Sequence, residues 1–153
     1  MTTTTETLTH AGPGTLDDNV ALATSWLHWI STADVPAMLR TAGADWRLHG
    51  GPPVMPSGPA GVCLLAAHLA DVEQTWTVND VIAAGDRVVL RATNVCEQPA
   101  FFGVPAAGIS QVFTATFTFR IADGLVHDIW RNADDLGRLL QLGARIEGPH
   151  PPA

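Results

Sequence analysis

Apolar residues recur at three- and four-residue spacing in the first half of the chain and at two-residue spacing in the second. Leu22, Trp26, Trp29 and Ile30 make one helical face, and Asp17, Asp18 and Asn19 offer a start for that helix. A second helix is predicted from Asp34, with Val35, Met38 and Leu39 facing inward and Gly43 as its stop. Residues 45–49 read as a short strand. Residues 50–59 hold too much Gly and Pro for regular structure and are predicted to be a loop. Helical spacing returns over 61–70, where Val62, Leu65, Ala66 and Leu69 form one stripe.

From there the period changes to two. Residues 73–84 alternate around Trp76, Val78, Asp80 and Ile82, Gly85-Asp86 turns the chain, and 87–96 returns as a second strand. The stretch 97–108 is apolar but irregular. The longest strand is predicted over 109–122. Phe113, Ala115, Phe117, Phe119 and Ile121 lie on one of its faces, and Val112, Thr114, Thr116, Thr118 and Arg120 on the other. Asp123-Gly124 signals a tight hairpin into a partner strand over 125–132. Asp134 or Asp135 then caps a last helix that ends near Gly143. This order predicts an α+β fold, with helices gathered on one face of a curved antiparallel sheet and a cone-shaped cavity beneath them. One domain is expected over residues 17–146, after a disordered leader over 1–16 and before a flexible tail over 147–153.

Composition narrows the function. The chain of 153 residues is 46% hydrophobic and only 15% charged, an apolar surplus that fits a lined pocket or a subunit interface. Its net charge is −7, and all eight basic residues are scattered arginines, which argues against nucleic acid as a partner. No apolar run approaches a membrane span, and the N-terminus lacks the basic and apolar regions of a secretory signal. A cytoplasmic location without membrane contact is therefore expected. Cys63 and Cys96 follow no metal spacing and read as free thiols, and the absence of tyrosine removes phenol chemistry. Neither a phosphate loop, a nucleophile elbow nor a flavin or nicotinamide signature is found, so no cofactor and no metal are expected.

Four segments in order resemble the SnoaL-like polyketide cyclases of the NTF2-like superfamily. They are Asp45-Trp46-Arg47-Leu48-His49; the Gly85-Asp86-Arg87-Val88 turn; Phe101-Phe102-Gly103-Val104-Pro105-Ala106-Ala107-Gly108; and residues 123–143, with Trp130, Asp134 and Gln141-Leu142-Gly143 in register. The resemblance implies an NTF2-like cone-shaped α+β barrel with an internal cavity. It also implies a homodimer and a small polyketide-derived substrate. The activity it suggests is cofactor-independent ring closure in natural-product biosynthesis, of the aldol type by general acid/base catalysis. Two other readings stand beside it: a pericyclic cyclase or isomerase acting by substrate preorganisation, and a non-catalytic small-molecule binder. An epoxide-opening hydrolase is a weaker fourth. One departure is specific: Val95-Cys96-Glu97 stands where the family commonly has Gly-Thr-His, so Glu97 replaces a histidine.

Asp134 matches the general acid/base of the family's aldol cyclases. A carboxyl in an apolar pocket has a raised pKa suited to moving protons, yet Asp is also a favoured helix N-cap. His49 is the second catalytic candidate, to polarise a carbonyl or position a water, against a plain loop-edge role. Substrate contacts are expected from Trp46, Glu97, Phe101, Phe102, Phe117, Asp128, Trp130 and Asn132. Phe101 and Phe102 could form a lid or a subunit contact. Strand alternation puts Asp128, Trp130 and Asn132 on one face, with His127 and Arg131 on the other. Which face lines the cavity is left open by alternation alone.

Overall fold

A computed structural model describes residues 14–51 and 54–148. The predicted leader and tail fall mostly outside these residues. The elements are α1 (Leu16–Thr32), α2 (Val35–Thr41), β1 (Ala42–His49), α3 (Pro59–Leu69), β2 (Glu73–Ala84), β3 (Arg87–Glu97), β4 (Ala100–Phe101), β5 (Val104–Pro105), β6 (Gln111–Ala122), β7 (Leu125–Ala133) and α4 (Asp135–Gln141). Five strands form one curved sheet in the order β1-β7-β6-β3-β2. It is the α+β fold expected, with α1, α2 and α3 on one face.

Local chemistry explains the element ends. Helix α1 starts one residue before the predicted acidic cluster, because Thr15 is its cap: the Thr15 hydroxyl accepts from the Asp18 amide while the Asp18 carboxylate accepts from the Thr15 amide. Helix α2 is capped by Asp34 and buries Met38 as expected, but Leu39 lies at the surface and Ala37 is buried in its place. The chain needs no Gly43 stop, because it passes directly from α2 into β1, which begins three residues earlier than predicted. Asp123 and Gly124 both take positive φ, the conformation a two-residue primed turn requires. At Gly61 an added Cβ would collide with the Pro56 carbonyl oxygen, so only glycine fits where α3 meets the preceding loop.

Two bulges decide which side chains face the helices. Strand β2 slips register between Val78 and Asp80. Trp76 and Val78 face inward, while Asp80 and Ile82 pair with the outward Arg91 and Val89 and so face away. The single predicted stripe through all four is thus broken at the bulge. A second slip lies opposite His127, between Arg120 and Ile121. Beyond it Asp128, Trp130 and Asn132 pair with Arg120, Thr118 and Thr116 on the outer face, whereas Arg131 pairs with the buried Phe117 on the inner one.

The core lies between the helices and the inner face, around Trp26, Trp46, Leu27, Met38, Leu90, Phe119, Ile121 and Ile129. Past Ala133, β7 leaves the sheet and α4 begins. The exposed edge of β6 is then taken over by one side chain: Gln141 Nε2 donates to the Val112 carbonyl and its Oε1 accepts from the Val112 amide, each at 2.8 Å. This double bond mimics a strand ladder. Gln141→Ala is expected to lower the unfolding free energy by about 1–2 kcal/mol, measurable by urea denaturation.

Candidate functional site

The sequence-derived candidates separate into three places. On the outer sheet face, His49 Nε2 bonds Asp128 Oδ1 at 2.8 Å, and Asp128 Oδ2 also accepts from Arg120 Nε at 2.7 Å. Trp130 stacks on His49 with ring centres 4.7 Å apart, and the Arg87 guanidinium lies over the Trp130 ring. Burial would raise the Asp128 pKa, but hydrogen bonds and charge from His49 and Arg120 outweigh it and hold the carboxyl below its usual range. Asp128 is therefore an ionised anchor. His127 reaches Asp45 on the same network.

Next to this network, Asn132 and Asp134 line a groove of about 450 Å³ with Gly50, Arg91, Thr114, Thr116 and Arg131. Asp134 is exposed and caps α4, its Oδ1 accepting from the Gly137 amide at 2.8 Å. It faces solvent rather than an apolar pocket.

The loop supplies the second place. Glu97 is exposed, and its Oε1 accepts from the Gly108 amide at 2.8 Å, which closes the loop on itself. Phe102 holds φ +47° and is 75% exposed, whereas the half-buried Phe101 packs against it. Trp46 and Phe117 occupy the third place, the core: Trp46 is fully buried and stacked on Trp26, and Phe117 packs edge-on against Trp76.

The inner face also carries groups that the sequence reading passed over. Arg138 is buried, with its guanidinium 3.6 Å from the centre of the Phe101 ring and 4.2 Å from that of Phe113. Its Nε donates to Gln111 Oε1, and another of its nitrogens to the Cys96 sulfur. Burial pulls its pKa down, opposed by Cys96 and Asp135. Asp135 receives two bonds from Arg131 at 2.7 and 2.8 Å. Burial would raise its pKa, but Arg131 and Arg138 win and hold it low. Burial pushes the Cys96 thiol up, and Arg138 offsets only part of that. These three groups form a locked polar bridge between α4 and the sheet, with Phe101 of the loop packed on it.

Beside the bridge lies a set of amides. Asn94 is fully buried and donates to Gln74 Oε1 at 3.2 Å, and that oxygen also accepts from Trp76 Nε1 at 3.0 Å. The remaining atoms are unsatisfied: Gln74 Nε2, Asn94 Oδ1 and Gln98 Nε2 are buried without a partner. Such orphans are uncommon and call for an explanation. Gln74 and Trp76 line a cleft of about 310 Å³ between α1 and β2, together with Leu27, Ser31 and the exposed His28. The signal was present in the alternation, since Asn94, Gln98 and Gln111 occupy inward positions in line with Leu90, Ala92, Phe113 and Phe117. A polar residue in an apolar register is the cue.

Among the described residues no group of three His, Cys, Asp or Glu side chains could hold a metal ion, and no helix is long and apolar enough to cross a membrane.

Helices over the concave face of a bulged, curved sheet, with a cleft between α1 and β2, define a protein of the NTF2-like cone class. The chain matches the family of SnoaL-like polyketide cyclases over residues 22–142 and belongs to it. Solved structures of the same fold include TsrD from Streptomyces laurentii, 24% identical over 86% of this chain and 99% of its own, with a TM-score of 0.76. A SnoaL-like polyketide cyclase from Agrobacterium tumefaciens is 16% identical over 82% and 98%, with a TM-score of 0.68. An LEH-like epoxide hydrolase from M. tuberculosis is 16% identical over 83% and 90%, also at 0.68. No curated protein matches the sequence.

Proposed function

We propose that the protein is a cofactor-independent cyclase or isomerase of polyketide-derived intermediates that works by holding its substrate in a reactive shape on the inner face. The observation that carries this reading is the unpartnered amide nitrogen of Gln74, which lines the cleft with the ring of Trp76 and is backed by the buried Asn94. Amide groups fix the position of oxygen functions, and the rings set the path of the carbon chain. A ring closure that needs alignment more than proton transfer gains most from such a site. The ionisable groups on this face support the same view, because Asp135 is held as a carboxylate by two arginines and Cys96 is held as a thiol.

A second reading, acid/base ring closure, is favoured by one observation: Asp134 and Asn132 share the outer groove. Epoxide opening fits less well. That chemistry wants two carboxylates about an arginine in the pocket; on the inner face two arginines surround one carboxylate, and the arrangement of Arg120 between Asp45 and Asp128 lies on the outer sheet face.

The two leading readings separate on product formation from linear and partly cyclised polyketide substrates, followed by mass-matched chromatography. Preorganisation on the inner face predicts that Asn94→Leu lowers turnover by about tenfold, the cost of one misplaced hydrogen bond. Asp134→Asn is then expected to stay within about threefold of the parent. A loss of about 10²–10⁴-fold in Asp134→Asn would instead establish the general acid/base role.

A further inference from the structure

We infer that Gln74 is the specificity-determining residue of the cleft between α1 and β2, which takes a flat neutral molecule presenting a carbonyl oxygen to the Gln74 amide nitrogen. This rests on the reading of that cleft as the substrate site and names the chemistry it accepts. The direction of the Gln74 amide is set by its partners. An indole N–H can only donate, so the amide oxygen must face Trp76 Nε1, 3.0 Å away. The same oxygen takes a second bond, from the Asn94 amino group at 3.2 Å. The Gln74 nitrogen is thereby turned away from both partners and is buried without an acceptor. Turning the amide over would set N–H against N–H, so a flip does not supply one. Gln74 borders the cleft of about 310 Å³, and an occupant of that cleft can provide the missing acceptor.

The rest of the lining sets the shape and charge of that occupant. Trp76 contributes an indole ring braced edge-on by Phe113 and Phe117, and Leu27 and Val78 add apolar surface. Such walls suit a planar body. On the α1 side the Ser31 and Thr32 hydroxyls donate to the Leu27 and His28 carbonyls, so toward the cleft they offer lone pairs rather than protons. Both stand in the last turn of α1, where the helix carries partial negative charge and no Lys or Arg offsets it. Among the described residues lining the cleft only His28 is ionisable, and it is exposed. An anion would meet negative charge at the helix end and no buried cation, whereas a neutral carbonyl meets a donor that lacks a partner.

The test is calorimetric titration of the full chain with three probes of one skeleton: 1-tetralone, tetralin and 1-aminotetralin. The parent protein is expected to bind the ketone about tenfold more tightly than the hydrocarbon, the effect of one hydrogen bond to a buried donor. Gln74→Glu keeps an oxygen for Trp76 and Asn94 and exchanges the free donor for an acceptor. At about pH 8, with two bonds donated to the carboxylate, this variant should lose the ketone preference and bind the ammonium of 1-aminotetralin about tenfold more tightly than the parent does. A Gln74 that only braced the sheet would leave the order of the probes unchanged. Ser31→Phe, which narrows the cleft from the α1 side, should weaken both neutral probes. Equal binding of ketone and hydrocarbon, no saturable binding, an unchanged order in Gln74→Glu, or full binding in Ser31→Phe would overturn the inference. The parent series and Ser31→Phe decide it even if Gln74→Glu fails to fold. Turnover without the ketone preference would sink the ligand class and leave the cyclase reading standing. The preference without turnover on any polyketide would sink the cyclase reading and leave the ligand class.

Discussion

Replacing Arg138 by alanine is expected to lower the unfolding free energy by about 3 kcal/mol, near the low end for breaking a buried ion pair. The low end applies because Asp135 keeps both of its bonds to Arg131. What is lost is the rest of the bridge: contact with the Phe101 and Phe113 rings, and the donor to Gln111 Oε1, which is then left buried without a partner. Arg138→Lys should recover less than half of the loss, since an ammonium cannot lie flat against two rings or fork between partners. Urea denaturation of the three proteins measures this. A loss below about 1 kcal/mol for Arg138→Ala, the value of an exposed pair, would mean that the guanidinium does not hold α4 to the sheet.

Trp46→Ala is expected to cost about 4 kcal/mol, as for other large residues removed from a core. The ring is fully buried and lies on Trp26 with centres 6.0 Å apart. Trp46→Phe should cost less than half as much. It keeps most of the stacked area and removes an indole N–H that has no acceptor. A residue that shaped a substrate pocket would behave differently, with stability nearly unchanged and turnover reduced. Thermal melts with product assays on the same two variants separate these outcomes.

The contrast between Trp46 and Asn94 shows what the chain reveals before it is folded. The switch of period near residue 73, the Asp123-Gly124 turn and the Asp34 and Asp134 caps are local features, and each stands where the spacing puts it. Family resemblance carried over the same stretch, so the cone-shaped α+β architecture was legible. Facing was not. The bulges at Val78/Asp80 and Arg120/Ile121 invert the alternation, and a bulge leaves little trace in a two-residue period. The parallel pairing of β1 with β7 joins residues far apart in the chain, and it brings His49 onto Trp130. That contact places His49 and Trp130 outside, away from the core where Trp46 and Phe117 lie. The buried amides went unseen for another reason. Asn94 and Gln98 look like ordinary polar residues unless their register is compared with Leu90 and Ala92.

The Gln141 side chain has a consequence for how the molecule behaves in a crowded solution. Where β7 departs, β6 would present an open backbone edge, and an open edge recruits strands from other molecules. With both polar groups of Val112 already engaged by one side chain, an incoming strand finds no ladder to extend at that point. The Gln-Leu-Gly ending of α4 thus acts as a stopper against edge-to-edge aggregation, a protection that is independent of any pocket chemistry.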